Sequence, residues 1–237
     1  MENWVKYTDE YLNITISESQ QEQFAIYEKL LLEWNEKFNL TAVRDVEGIR
    51  IKHFFDSLTC TKALGNLNGK SLVDVGTGAG LPGIPLKIIY PEMSLVLVDA
   101  TGKKVNFCQH VIQTLGLKNS MAIQARSEEM GLTREHRERY DVAVARAVAR
   151  LPILCEYLLP LVKIGGVILA QKGETAAEEL AQSKKAIKMM GGKNQNILSV
   201  SLPIFEDRRY LILIEKATST PANYPRRAGI PSQKPIQ

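Results

Sequence analysis

The spacing of apolar positions changes along the chain, and the change divides it. Across residues 17–38, Phe24, Tyr27, Leu31, Trp34 and Phe38 recur at alternating steps of three and four. That is the stripe of an amphipathic helix, and Ser17 with Gln20 supplies a capping box at its start. The stripe predicts a helical cap lying against the main sheet. Asn39-Leu40-Thr41 interrupts it, and a second helix is expected over about 45–64. His53 and Asp56 fall three apart there and share a face with Lys52 and Ser57 beside them, as a structural pair or as the rim of a site.

From Gly69 onward short branched runs alternate with helical spacing. Strands are predicted at 71–75, 94–98, 120–124, 141–145 and 166–170. Helices fall near 82–90, 103–116 and 151–163, with a turn of helix around 133–138 and a longer helix over 175–190 that stops at Gly191-Gly192. Such alternation is the signature of a parallel sheet covered on both faces. Two final strands, near 197–202 and 210–215, are joined by a turn too short for a crossover helix and should pair antiparallel. Residues 218–235 contain four prolines, three bases and no acid. No regular structure is expected in them, and they read either as a disordered tail or as an arm that orders on RNA. The expected organisation is an N-terminal helical extension (1–68), an α/β core (69–217) and a basic tail (218–237).

Composition narrows the class. With 237 residues, 45% of them hydrophobic and 24% charged, the chain matches one large α/β domain with an appended segment. No apolar run approaches the roughly 20 residues that span a bilayer. No basic stretch followed by an apolar one opens the chain, so a cytoplasmic location is expected. The three cysteines, Cys60, Cys108 and Cys155, are scattered without metal-ligand spacing and read as buried thiols. The net charge of +4 is unevenly shared, with −5 on residues 1–50 and +9 on the remainder. That bias suits a polyanionic substrate, or simply a solvated basic face.

The candidate chemistry lies where strands end. Residues 72–83 run from a buried strand, Leu72 to Val75, through a turn containing Gly76, Gly78, Gly80 and Gly83 into a helix. Such a turn lets backbone N–H groups approach a ligand, although the spacing alone also fits dinucleotide enzymes. Asp74 shifts the balance. An acid before the first glycine would repel a pyrophosphate, whereas it suits a ligand whose end carries an ammonium and a sulfonium. The D-x-G-x-G-x-G run resembles motif I of the S-adenosylmethionine-dependent methyltransferases. Asp99, ending the second strand, stands where an acid binds both ribose hydroxyls, with Ala100 and Thr101 next to it. After the third strand, the backbone N–H of Ser127 or Glu128 and an acidic acceptor can read an adenine edge.

The fourth strand is followed by Ala145-Arg146-Ala147-Val148-Ala149-Arg150. It holds none of the acceptors used by enzymes that methylate exocyclic amines. A pyrimidine C5 enzyme would need a cysteine here, and Cys155 lies well into the next helix. Guanine N7, with an in-plane lone pair, needs neither device. Arg146 then reads as a donor to guanine or to phosphate, or as one half of a structural ion pair. Lys172, Arg208 and Arg209 are candidate phosphate contacts, and Arg226 and Arg227 in the tail join them as candidate RNA contacts.

Taken together, Asn39-Leu40-Thr41, His53-Phe54-Phe55-Asp56-Ser57, the run from Asp74 to Pro82, Val144-Ala145-Arg146-Ala147-Val148-Ala149, and Tyr224-Pro225-Arg226-Arg227-Ala228-Gly229-Ile230-Pro231 resemble the ribosomal RNA small-subunit methyltransferase G family, also called glucose-inhibited division protein B. The resemblance implies a class I methyltransferase fold: Rossmann-like, with five parallel strands and an antiparallel C-terminal hairpin. It implies transfer of a methyl group from S-adenosylmethionine to guanine N7 of 16S ribosomal RNA, to give 7-methylguanosine. It places Gly76, Leu81, Asp99 to Thr101, Ser127, Glu128 and Arg146 against the cofactor, with Leu81 where the family often has Phe. Asp74 and Gly78 join the expected cofactor set and Arg146 is the expected catalytic group. The expected partner is 16S ribosomal RNA or the small subunit, met by a single chain without metal or membrane.

Overall fold

A computed structural model describes residues 2–205 and 208–236. Seven strands form one sheet in the order β3-β2-β1-β4-β5-β7-β6. They are β1 (Ser71–Val75), β2 (Ser94–Asp99), β3 (Ser120–Gln124), β4 (Tyr140–Arg146), β5 (Val162–Lys172), β6 (Gly192–Ser201) and β7 (Arg208–Lys216). The first five run parallel; β7 lies antiparallel between β5 and β6. Residues 206–207, in the turn between the last two strands, lie outside the described residues. The central strands Leu72–Val75, Leu95–Val98 and Val142–Ala145 are branched and apolar because helices cover both their faces.

The helices in chain order are α1 (Glu2–Leu12), α2 (Glu18–Phe38), α3 (Val46–Gly48), α4 (Asp56–Leu58), α5 (Thr61–Leu64), α6 (Gly83–Ile89), α7 (Gly102–Thr114), α8 (Ser127–Met130), α9 (Leu151–Leu158), α10 (Ala176–Gln182), α11 (Lys184–Met189) and α12 (Ile230–Gln233). The capping box of α2 is formed: Ser17 Oγ accepts from the Gln20 N–H, and Gln20 Oε1 accepts from the Ser17 N–H. Phe24, Tyr27 and Leu31 are buried; the helix packs on α6 and α7, which lie between it and the sheet. Each such side chain withdrawn from water stabilises the cap by about 2 kcal/mol. Asn39 ends α2 in a left-handed conformation at φ 48°. Between α3 and α4, residues Ile49–Phe55 form a π-helix, a rarity that concentrates at functional sites.

Several expectations are corrected. Helix α1 was not foreseen; its Trp4, Thr8 and Leu12 are buried at steps of four, and Trp4 meets Phe24 edge-on at 5.0 Å. The helix expected to 163 stops at Leu158, because Pro160 has no N–H to continue it. The helix expected over 175–190 breaks at Ser183, whose hydroxyl turns back to the Glu179 carbonyl. Hydrogen-bonded turns stand where a helical turn was expected at 133–138, as in Arg137 N–H to Thr133 O.

The largest correction concerns the tail, which is docked along the α8/α9 side of the core. Arg137 donates to the carbonyls of Thr220, Pro221 and Tyr224. Arg226 forks onto Glu156, the Gly229 N–H reaches Glu128, and Pro225 and Ile236 are buried. Prolines prevent a ladder here, and long-range ion pairs and carbonyl acceptors replace it.

Candidate active site

In an open α/β sheet, ligands bind beyond the carboxyl ends of the strands where the strand order reverses. Here that point lies between β1 and β4. Two cavities open there, of about 600 Å³ and about 440 Å³, and Gly76, Lys104 and Ala147 line both. They form one crevice.

The glycine turn is its floor. Gly76 (φ 68°) donates to Val98 O at 2.8 Å, and a Cβ there would lie 2.5 Å from a Val148 methyl. Gly78 (φ 60°) donates to Asp99 Oδ2 at 3.1 Å, and a Cβ on it would meet only the Gly76 carbonyl, at 4.0 Å. Asp74 is fully buried and lines neither cavity. One of its oxygens accepts from Thr77 Oγ1 and the Gly83 N–H, both at 2.8 Å. Burial raises its pKa to about 6, against the pull of those two donors. The expected contact between Asp74 and a ligand ammonium is therefore corrected: its carboxylate staples both ends of the glycine turn and is closed off from the crevice. From below, the buried Tyr27 hydroxyl donates to Ala79 O, so the N-terminal cap holds the turn as well.

The smaller cavity is lined by the apolar Val75, Val98, Ala125 and Val148 together with Asp99, Ala100, Ser127, Glu128, Tyr157 and Ser232. Asp99 accepts from the Gly78 N–H and, at 2.9 Å, from the Thr101 N–H, with Lys104 Nζ at 3.7 Å. Thr101 does not line the crevice; it caps α7 and orients Asp99 through its backbone, which corrects its expected contact. Ser127 also turns its hydroxyl away, to Tyr157 O at 2.7 Å.

The larger cavity is built on Arg146. Its Nη1 donates to Asp56 Oδ2 at 3.0 Å and to Lys52 O at 3.2 Å, and Arg209 Nε lies 3.6 Å from Asp56 Oδ1. Ala147, next in the chain, adopts φ 56°, the left-handed region that costs a non-glycine residue about 1 kcal/mol. His53 is pushed down to about 4 by burial and by Arg146, so the ring is neutral at pH 7. Nδ1, 2.9 Å from the Lys52 carbonyl, must carry the proton, and Nε2 then accepts from Thr41 Oγ1 at 2.7 Å. Leu81, Gln171 and Lys172 complete the wall.

Of the five cations expected to meet RNA, two are committed internally. Lys172 bonds Glu179 at 2.8 Å and also donates to Ala149 O. Arg226 makes a two-pronged pair with Glu156, itself almost wholly buried. Both side chains are thus held by carboxylates of the core, Lys172 while lining the larger cavity and Arg226 through Nε and Nη2. Arg208 and Arg227 are exposed, and Arg209 lines the larger cavity beside Asp56.

The model for the family described as rRNA small subunit methyltransferase G matches residues 20–210. The chain belongs to that family. A relative from Pelotomaculum thermopropionicum, named ribosomal RNA small subunit methyltransferase G, is 47% identical over 95% of this chain and 94% of its own. One of the same name from Desulforamulus reducens is 45% identical over 95% and 94%. Among solved structures, a tRNA methyltransferase from Aquifex aeolicus aligns at TM-score 0.56 with 13% identity, covering 69% of each chain. A SAM-dependent O-methyltransferase from Thermotoga maritima aligns at 0.54 with 13% identity, covering 69% of this chain and 65% of its own. These two likenesses establish the class I methyltransferase fold.

The crevice of this methyltransferase G family member fits the cofactor such a fold takes. A Cβ on Gly78 would meet nothing nearer than the Gly76 carbonyl at 4.0 Å, and the lining of the smaller cavity combines the apolar Val75, Val98, Ala125 and Val148 with two carboxylates, Asp99 and Glu128. Three features of the site carried no signal in the sequence: the Tyr27 hydroxyl, the strained Ala147, and the place of Tyr157 and Ser232 in the lining of the smaller cavity. The apolar stripe contained Tyr27 but assigned it to packing alone.

Proposed function

We propose that this chain transfers the methyl group of S-adenosylmethionine to N7 of a guanine in 16S ribosomal RNA, on the small ribosomal subunit in the cytoplasm. The acting species in this reading is a single chain. One observation carries the reading. A cavity lined by Asp99 and Glu128 and a larger one lined by Arg146 share Gly76, Lys104 and Ala147 in their walls, which supports a cofactor site next to a substrate site.

When bound, S-adenosylmethionine supplies an electrophilic methyl group on a sulfonium. Asp99 would accept from the ribose hydroxyls, Glu128 would stand against the adenine, and Gly76, Gly78 and Leu81 would bound the methionine portion. Asp56 and the Lys52 carbonyl fix one side of the Arg146 fork, which leaves other N–H donors for guanine O6 or a phosphate. Guanine N7 has no proton to lose, so the chain need not supply a base. His53, the nearest candidate, has both ring nitrogens engaged. Nor does the site offer a nucleophile: Cys155 is fully buried and burial pushes its thiol well up. Positioning and exclusion of water are what this chain contributes.

The test is transfer of tritium from labelled S-adenosylmethionine to small subunits that lack the modification, to free 16S RNA and to large subunits. The reading requires label in 16S RNA of the small subunit. Label confined to large subunits, or absent from all three, overturns it.

A further inference from the structure

The C-terminal segment reaches the wall of the smaller cavity. Ser232 lines it, with Oγ 3.0 Å from Tyr157 Oη, and the Gly229 N–H donates to Glu128 Oε1 at 2.9 Å. The segment is anchored upstream of these contacts by Arg226 on Glu156, and downstream Ile236 is buried. Gly229 sits at φ 86°, where a β-carbon is disfavoured, and that conformation aims its N–H at Glu128. Glu128 is buried, and its carboxylate is held from 101 residues away in sequence. With Oε1 accepting from Gly229 and the Tyr157 hydroxyl bonded to the same carboxylate, Glu128 is held in place in the cavity wall.

We infer that the C-terminal segment, through Gly229 and Ser232, is a working wall of the adenosine site: it fixes the Glu128 carboxylate so that the cavity selects adenine, whose 6-amino group donates, over purines with a 6-oxo group. This rests on the cofactor assignment proposed above. It gives the segment a role in cofactor recognition and predicts the opposite of an RNA arm whose removal spares the cofactor. A fixed acceptor facing a 6-oxo group sets two lone pairs against each other, the arrangement that gives polar sites their discrimination.

The experiment is calorimetric binding of S-adenosylhomocysteine and of S-inosylhomocysteine to three proteins: the full chain, a chain ending at Ala228, and full-length Ser232→Ala. The shortened chain keeps the Arg226 and Arg137 anchors, and its fold is checked by circular dichroism. The full chain should prefer the adenine compound by at least about tenfold. Ending at Ala228 should weaken S-adenosylhomocysteine binding about tenfold and reduce the preference below about threefold. Ser232→Ala, a change at an exposed side chain that leaves the core intact, should weaken it about threefold, and it carries the test if the shortened chain does not fold. Unchanged affinity and preference in a folded shortened chain, or unchanged affinity in Ser232→Ala where shortening unfolds the protein, overturns the inference while the cofactor assignment stands. Failure of the full chain to bind S-adenosylhomocysteine overturns both.

Discussion

Replacing Arg226 with alanine separates a structural tail from an RNA-binding one. Glu156 is 1% exposed, and its carboxylate accepts from Arg226 Nη2 at 2.6 Å, Nε at 2.9 Å and the Arg226 backbone N–H at 2.7 Å. The carboxylate in turn favours the charged guanidinium. Arg226→Ala keeps only the backbone bond and strands a buried carboxylate. Removing one partner of a buried pair costs about 3–5 kcal/mol, and because the Arg226 side chain is 26% exposed, water entering lowers this to about 2–3 kcal/mol. With an unfolding entropy of about 2 cal/mol/K per residue, a 237-residue chain should melt about 4–6 °C lower. Arg226→Lys should not restore it, because a lysine cannot make the two-pronged contact. Arg227→Ala, at an exposed neighbour, should leave melting within about 1 °C and lower the salt slope of RNA binding by about one. Thermal denaturation followed by circular dichroism, with RNA binding at several salt concentrations, reads both effects. Unchanged melting in Arg226→Ala together with a reduced salt slope would refute the argument and return Arg226 to the RNA surface.

Other parts of the site can be tested in the same way. Tyr27→Phe removes the donor to Ala79 O and should cost about 1–2 kcal/mol of stability, with weaker S-adenosylhomocysteine binding because the glycine turn loses its support; binding as in the parent would show that the turn stands alone. Asp56→Ala leaves Arg146 and Arg209 without the carboxylate between them and should lower kcat for methyl transfer at least about tenfold; an unaltered rate would remove Arg146 from the proposed site. Asp74 and His53 make opposed contributions to the pH dependence of stability. Asp74, raised to about 6, holds a proton in the folded state that the unfolded chain has released, so its contribution falls as pH rises from about 4 to 6. His53, lowered to about 4, is protonated only in the unfolded chain between about 4 and 6.5, so its contribution is lost as pH falls through that range. The parent should be nearly flat there; Asp74→Asn should gain stability with rising pH and His53→Gln should lose it, read as urea midpoints at about pH 4.5 and 6.5. Two variants as flat as the parent would contradict both assignments.

Where structure follows from near-neighbour pattern, it was legible. The short branched apolar runs located the seven strands of the described residues, and the short link after β6 correctly required an antiparallel hairpin. The alternating steps of three and four located α2 and its buried side chains. The strand-end rule brought Gly76, Gly78, Asp99, Glu128 and Arg146 to one crevice. What was missed depends on contacts distant in sequence. The tail, expected to hold no regular structure, contains the short helix α12, while Arg226 finds Glu156 70 residues away and Gly229 finds Glu128 101 residues away, contacts that no local pattern encodes. Asp74 was placed on the correct strand and given the wrong neighbour: a carboxylate at the end of a central strand can face the ligand or turn back to the loop, and the Thr77 hydroxyl and Gly83 N–H decided it. Lys172 follows the same logic, since a lysine after a strand looks free until a buried Glu179 from the next helix is placed beside it.

The most direct test of the central claim is the position of the transferred methyl group. Small subunits methylated by this chain are reduced and treated with aniline, which cuts RNA at 7-methylguanosine, and the ends are mapped by primer extension. A single cut in 16S RNA, absent without the enzyme, is the predicted result. Incorporated label in RNA that resists cleavage would place the methyl on another atom, and would contradict the argument from Arg146 and the missing acceptors after β4.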